Sequence, residues 1–145
     1  MDNQNFNVLD EINKGATMGM DAINYVLDKV EDNSFRRVLD GEYNKYRDIT
    51  NRINEVYPNY NTEKEPHETS PMTKMMTWYG IQMKTISDHS NSKLSELLIQ
   101  GTNMGIIEGR KLLNNNENLP KDIDTILNDF VVMQEDSVET LKKYL

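Results

Sequence analysis

Two carboxylates and one polar pair occupy places where apolar residues are due. Glu42 falls in the series Phe35, Leu39, Glu42, Tyr46, Ile49, Ile53 and Val56. Glu108 falls among Leu94, Leu97, Leu98, Gly101, Met104, Ile107 and Leu112. Gln134 and Ser137 interrupt Ile123, Leu127, Phe130, Leu141 and Tyr144. Steps of three and four place each series on one stripe of a helix. A carboxyl on such a stripe must be paired, hydrogen-bonded or protonated. Glu42 and Glu108 are therefore candidates for a residual metal or proton site, with Tyr46, Gln134 and Ser137 as polar neighbours. The preferred reading is plainer: both lie at seam edges, reach water, or bond to Tyr43, Tyr46 or Gln134.

Other chemistries are poorly supplied. The chain has no cysteine, which removes disulfides, thiolate metal sites and cysteine nucleophiles. Its two histidines, His67 and His89, stand without a carboxylate or second histidine at metal spacing on an expected helix. No nucleophile elbow, phosphate loop or dinucleotide fingerprint is present. No catalytic residue, metal ligand set or cofactor is expected. The net charge of −8 and pI near 4.7 disfavour nucleic acid and anionic membranes. No apolar run is long enough for a membrane span, and the polar start Met1-Asp2-Asn3-Gln4-Asn5 is not read as a signal peptide. A cytoplasmic location is the expectation.

The elements that must position these residues follow from the same periodicity. Residues 7–30 carry Leu9, Ile12, Ala16, Gly19, Ile23, Val26 and Val30 at alternating three and four, with Asp2 or Asn5 as cap. A turn at Asp32-Asn33-Ser34, with Asn33 or Ser34 as cap, leads to a helix over 35–56. Residues 58–71 hold three prolines and no period, so they read as a loop ending in a Ser70-Pro71 helix start. Residues 72–114 form either a crossover helix (72–86) and a core helix (92–113), or one long bent helix. The last helix runs from about 120 to the end. The expected fold is all-α: one domain, an antiparallel four-helix bundle of two hairpins with a longer crossover between the second and third helices.

Two stretches echo each other, Gly15-Ala16-Thr17-Met18-Gly19-Met20 and Gly101-Thr102-Asn103-Met104-Gly105-Ile106, and Gly109 extends the second series. Glycine inside a helix costs about 1 kcal/mol against alanine, so the paired occurrence asks for a compensating reason. Close packing at Gly15, Gly19, Gly101 and Gly105 is the preferred one. A pocket beside the glycines is the alternative.

Residues 14–32, 101–113 and 134–145 resemble uncharacterised ferritin-like families near the rubrerythrin and spore-coat bundles. The ending Gln134-Glu135-Asp136-Ser137-Val138-Glu139-Thr140-Leu141-Lys142-Lys143 is similar to the Glu-x-x-His-x-x-x-Leu-Lys ending of such chains. The resemblance implies a ferritin-like bundle, a spore-forming bacterial source and a spore-associated location. It also exposes departures. A di-iron bundle takes a Glu from each of two helices and a Glu-x-x-His from each of the other two. Here Gln134 and Ser137 stand at the Glu and His places, Tyr46 and Ile49 form the equivalent pair on the second helix, and Lys45 follows Glu42 at the third position.

Three functions fit this sequence. One is a non-catalytic bundle acting as a homo-oligomer or protein-interaction module. Another is a carboxylate iron or manganese protein using Glu42 and Glu108. The third is a carrier of a small apolar ligand beside the glycines. The segment 72–86 favours the first. Its residues Met72, Met75, Met76, Trp78, Tyr79, Ile81, Met83 and Ile86 cannot all share one stripe. Met75, Trp78 and Tyr79 are read as the interface of a homodimer, or of a contact with another protein.

Overall fold

Apolar residues at three and four steps, with few helix breakers, commit most of the described residues to helix. The computed structural model describes residues 3–62, 65–66 and 74–145. Among them are five α-helices and no strand: α1 (Asn3–Leu27), α2 (Asn33–Val56), α3 (Lys74–Thr85), α4 (Asn91–Asn115) and α5 (Lys121–Lys142). None is long and apolar enough to cross a membrane. His67, Ser70, Pro71, Met72 and the Asp2 cap lie outside the described residues, as does the Met75 side chain.

Local signals explain most boundaries and correct several expectations. Helix α1 already runs at Asn3, so Asn5 lies inside it rather than capping it. The cap of α2 is Asp32, whose extended backbone lets its carboxylate accept from Ser34 N at 2.8 Å. Asn33 and Ser34 instead begin the helix. The expected loop after α2 opens with a 3-10 turn, Tyr57–Asn59, set by Pro58 in its first turn. The crossover and core helices are separate, which gives five helices in place of four. Residues 86–90 break the path, and Ser90 caps α4 by accepting from Lys93 N at 3.2 Å.

Helices α1 and α2 pack as one pair and α4 and α5 as another. Neighbours within each pair run antiparallel, as the short links require. Ser95 near the start of α4 donates to the Leu141 carbonyl at the end of α5, at 2.5 Å. The pairs meet along α1–α4, α2–α5 and α1–α5. Phe35 stacks on Tyr144 with ring centroids 4.5 Å apart, so the start of α2 lies by the end of α5. Asp32 also accepts from Asn91 Nδ2 at 3.0 Å, joining the starts of α2 and α4.

The core runs between the pairs through Leu9, Ile12, Ile23, Phe35, Leu39, Ile53, Leu94, Ile123, Leu127 and Phe130, all buried. Helix α3 rests on α1 and α4. It buries Tyr79 and Met83 and leaves Trp78 and Ile81 exposed. Tyr79 is thus a core residue and not an interface residue. It lies three residues after Met76 and four before Met83, on the stripe that docks.

Candidate functional site

A helical glycine leaves a bare patch of backbone, and in this protein each seam glycine has something resting on it. A Cβ at Gly15 would stand 2.9 Å from Cζ of Phe130, and one at Gly19 would stand 2.6 Å from Cζ of Tyr46. At Gly101 it would meet the Tyr79 hydroxyl, at Gly105 the Gln134 amide, and at Gly109 Cγ2 of Val131 at 2.5 Å. Three of these positions carry rings from other helices, where the sequence suggested close approach of two backbones. The glycines make room for large side chains to lie against α1 and α4.

Those side chains do not fill the seam. A cavity of about 810 Å³ lies between α1 and α4 over α2 and α5, and Met76 and Tyr79 of α3 contribute to its wall. Gly15, Gly19, Gly101, Gly105 and Gly109 all line it. Packing and pocket, alternatives from sequence, coexist here. Ala22, Met18, Leu98, Met104 and Ile107 add an apolar wall.

The polar residues gather in the wall beside Tyr46. Glu42 is 4% exposed; its Oε2 pairs with Lys45 Nζ at 2.8 Å, while Oε1 has no hydrogen-bond partner. Gln134, 2% exposed, has an unpartnered Nε2, and Tyr79, 7% exposed, has an unpartnered hydroxyl. Unpaired buried polar atoms are costly and rare, and each needs a reason. Burial pushes the Tyr46 hydroxyl up to about 12; nearby Glu42 adds to this and a hydrogen bond with Thr102 opposes it. Burial likewise raises Tyr79, with Tyr46 adding a smaller contribution. Thr102 and Ser137 are satisfied locally, donating to the Leu98 carbonyl at 2.7 Å and the Met133 carbonyl at 2.9 Å.

All five polar seam residues line one cavity, and four of them are buried: Glu42, Tyr46, Gln134 and Ser137. Glu108 also lines the cavity but reaches water, as the plainer reading of the sequence has it. Its side chain is 68% exposed and faces Lys111 Nζ at 3.7 Å, at the cavity's rim with Glu11 and Lys14. The buried face of α4 runs instead through Leu94, Leu98, Thr102 and Gly109. Thr and Gly carry little hydrophobic signal, so the stripe reads one residue out of phase. Tyr79, expected at an interface, and Thr102, not singled out, both belong to the cavity wall. The Met76, Tyr79, Met83 spacing held the signal for the first.

Chemically, the wall offers an acceptor, a donor and a phenol, and no metal set. Among the described residues, no three His, Cys, Asp or Glu side chains stand together to hold an ion. Comparison with protein-family models, curated proteins and solved structures finds no match for this chain.

Proposed function

We propose that this protein is a non-catalytic helical binding module that holds a small, mainly apolar ligand in the seam between α1 and α4. The observation that carries this reading is a cavity of about 810 Å³ with three unpartnered buried polar atoms in its wall. Ligand pockets have this character: roughly 300–1,000 Å³, mostly apolar, with a few polar groups to orient the guest. In the same reading the two helix pairs form a ferritin-like antiparallel bundle whose centre holds a cavity where a di-iron relative would hold metal. Gln134 and Ser137 at the Glu and His places support this, since neither is an ordinary iron ligand.

The test uses N-phenyl-1-naphthylamine, a neutral apolar dye that brightens when bound. The dye should bind at about one molecule per chain. Ala22→Trp, which pushes a ring into the cavity from a half-buried position on α1, should weaken binding by at least about tenfold with helicity retained. Absence of binding to the unmodified chain sinks the reading.

A second reading concerns the outer face of α3. Trp78 and Ile81, each 53% exposed, lie three residues apart on one face. Exposed apolar groups on one face mark contact surfaces, and a second copy of this chain is the proposed occupant, because isologous dimers are the commonest closed assembly.

A further inference from the structure

Resting on the ligand-binding reading, we propose that the cavity selects a neutral amphiphile whose polar end both donates and accepts hydrogen bonds, a hydroxyl or a primary amide, over the matching carboxylate. The three unpartnered atoms define that end. Glu42 Oε1 accepts, Gln134 Nε2 donates, and the Tyr79 hydroxyl does either. They belong to one neighbourhood. Tyr79 lies against Gly101 and Gln134 against Gly105, four residues or about 6 Å apart along α4. Glu42, Tyr46 and Tyr79 line the same cavity.

A hydroxyl placed there donates to Glu42 and accepts from Gln134 or Tyr79. A primary amide does the same with a second N–H to spare. A carboxylate satisfies Gln134 and Tyr79 but brings its charge beside that of Glu42, and like charges at one site disfavour each other strongly. Lys45 does not relieve this. It binds the other Glu42 oxygen, its side chain is 48% exposed, and it is not part of the cavity wall. An alkylammonium satisfies Glu42 but leaves the Gln134 donor unpaired, so it ranks between. The apolar body lies along the glycine-lined wall. A twelve-carbon chain with its head group needs roughly 400 Å³ at about 30 Å³ per non-hydrogen atom, a water's share of the liquid, which fits within the about 810 Å³ present.

The experiment measures displacement of bound N-phenyl-1-naphthylamine from the full chain by 1-dodecanol, dodecanamide and dodecanoate, all below their aggregation limits, at about pH 8 so that the acid is ionised. The alcohol and amide should displace the dye at concentrations at least about tenfold lower than dodecanoate. Glu42→Gln should bring dodecanoate to within about threefold of the alcohol. If Glu42→Gln does not fold, the ranking on the unmodified chain decides alone. Dodecanoate displacing as well as the alcohol overturns the head-group inference while the cavity reading stands. A dye that never binds overturns both.

Discussion

At Gly19 a Cβ would stand under 3 Å from three atoms of the Tyr46 ring, which is buried and rigid and must move as a whole to give way. Gly19→Ala should therefore destabilise the protein by about 1–3 kcal/mol through overpacking. Gly105 differs. Its Cβ would meet the end of the Gln134 side chain, and that amide borders open cavity into which it can swing. Gly105→Ala should cost less than Gly19→Ala. Gly41 is exposed on α2 with nothing within 4 Å of an added Cβ, so Gly41→Ala should stabilise by about 0.5–1 kcal/mol from helix propensity. Chemical denaturation of the three variants checks the order, and a Gly19→Ala protein as stable as the unmodified chain would show that the Tyr46 ring yields. The residue scale is also where sequence reasoning was least secure. Glu42, Tyr46 and Gln134 were legible because they break a strongly apolar stripe. Glu108 lies at the edge because the buried stripe of α4 passes through Thr102 and Gly109, which look polar or blank. No single-residue pattern reveals that Tyr79 would lie on Gly101.

Helices α1, α2 and α5 were readable because three and four steps repeat six times in each, enough to fix both type and phase. The buried face of α2, from Phe35 to Ile53, and that of α5, from Ile123 to Leu141, follow the expected stripes. Caps were harder, since Asp32, Asn33 and Ser34 are all good cap residues and only backbone geometry chooses among them. The choice has consequences beyond α2. Asp32 accepts from Ser34 N and from the Asn91 side chain, so one carboxylate secures the starts of two helices. The backbone hydrogen bond from Ser34, helped by Asn91, holds its carboxyl below the ordinary value of 3.8. A lowered pKa contributes stability that is present above the unfolded value and is lost as pH falls through the folded one. Asp32→Ala should thus lower the melting temperature at neutral pH. Its gap to the unmodified protein should narrow as pH drops below 3.8. Thermal melts across that range decide, and a gap independent of pH would show that the ionised carboxylate contributes nothing to the cap.

Over the whole molecule, α3 is the element with the least to hold it. It touches α1 and α4 through one stripe, and its opposite side presents Trp78 and Ile81 to solvent. An apolar stripe on one face is enough to dock a helix; the second set of apolar residues needs another explanation. Tyr79 is no longer available for an interface, because it is buried against Gly101. That leaves a narrower patch than the sequence suggested, centred on residues 78 and 81. If two copies meet through it, each α3 is clamped between its own cavity wall and the partner's helix. Association would then steady Tyr79, one of the three polar atoms in that wall. Light scattering should show a dimer for the unmodified chain. Trp78→Ser with Ile81→Ser should give a monomer of unchanged helicity, because neither side chain belongs to the core. The same double variant should bind N-phenyl-1-naphthylamine more weakly, by a few-fold, since a less restrained α3 lowers the fraction of binding-competent protein. A monomer at high concentration for the unmodified chain would leave Trp78 and Ile81 as isolated surface residues and remove any link between association and the cavity.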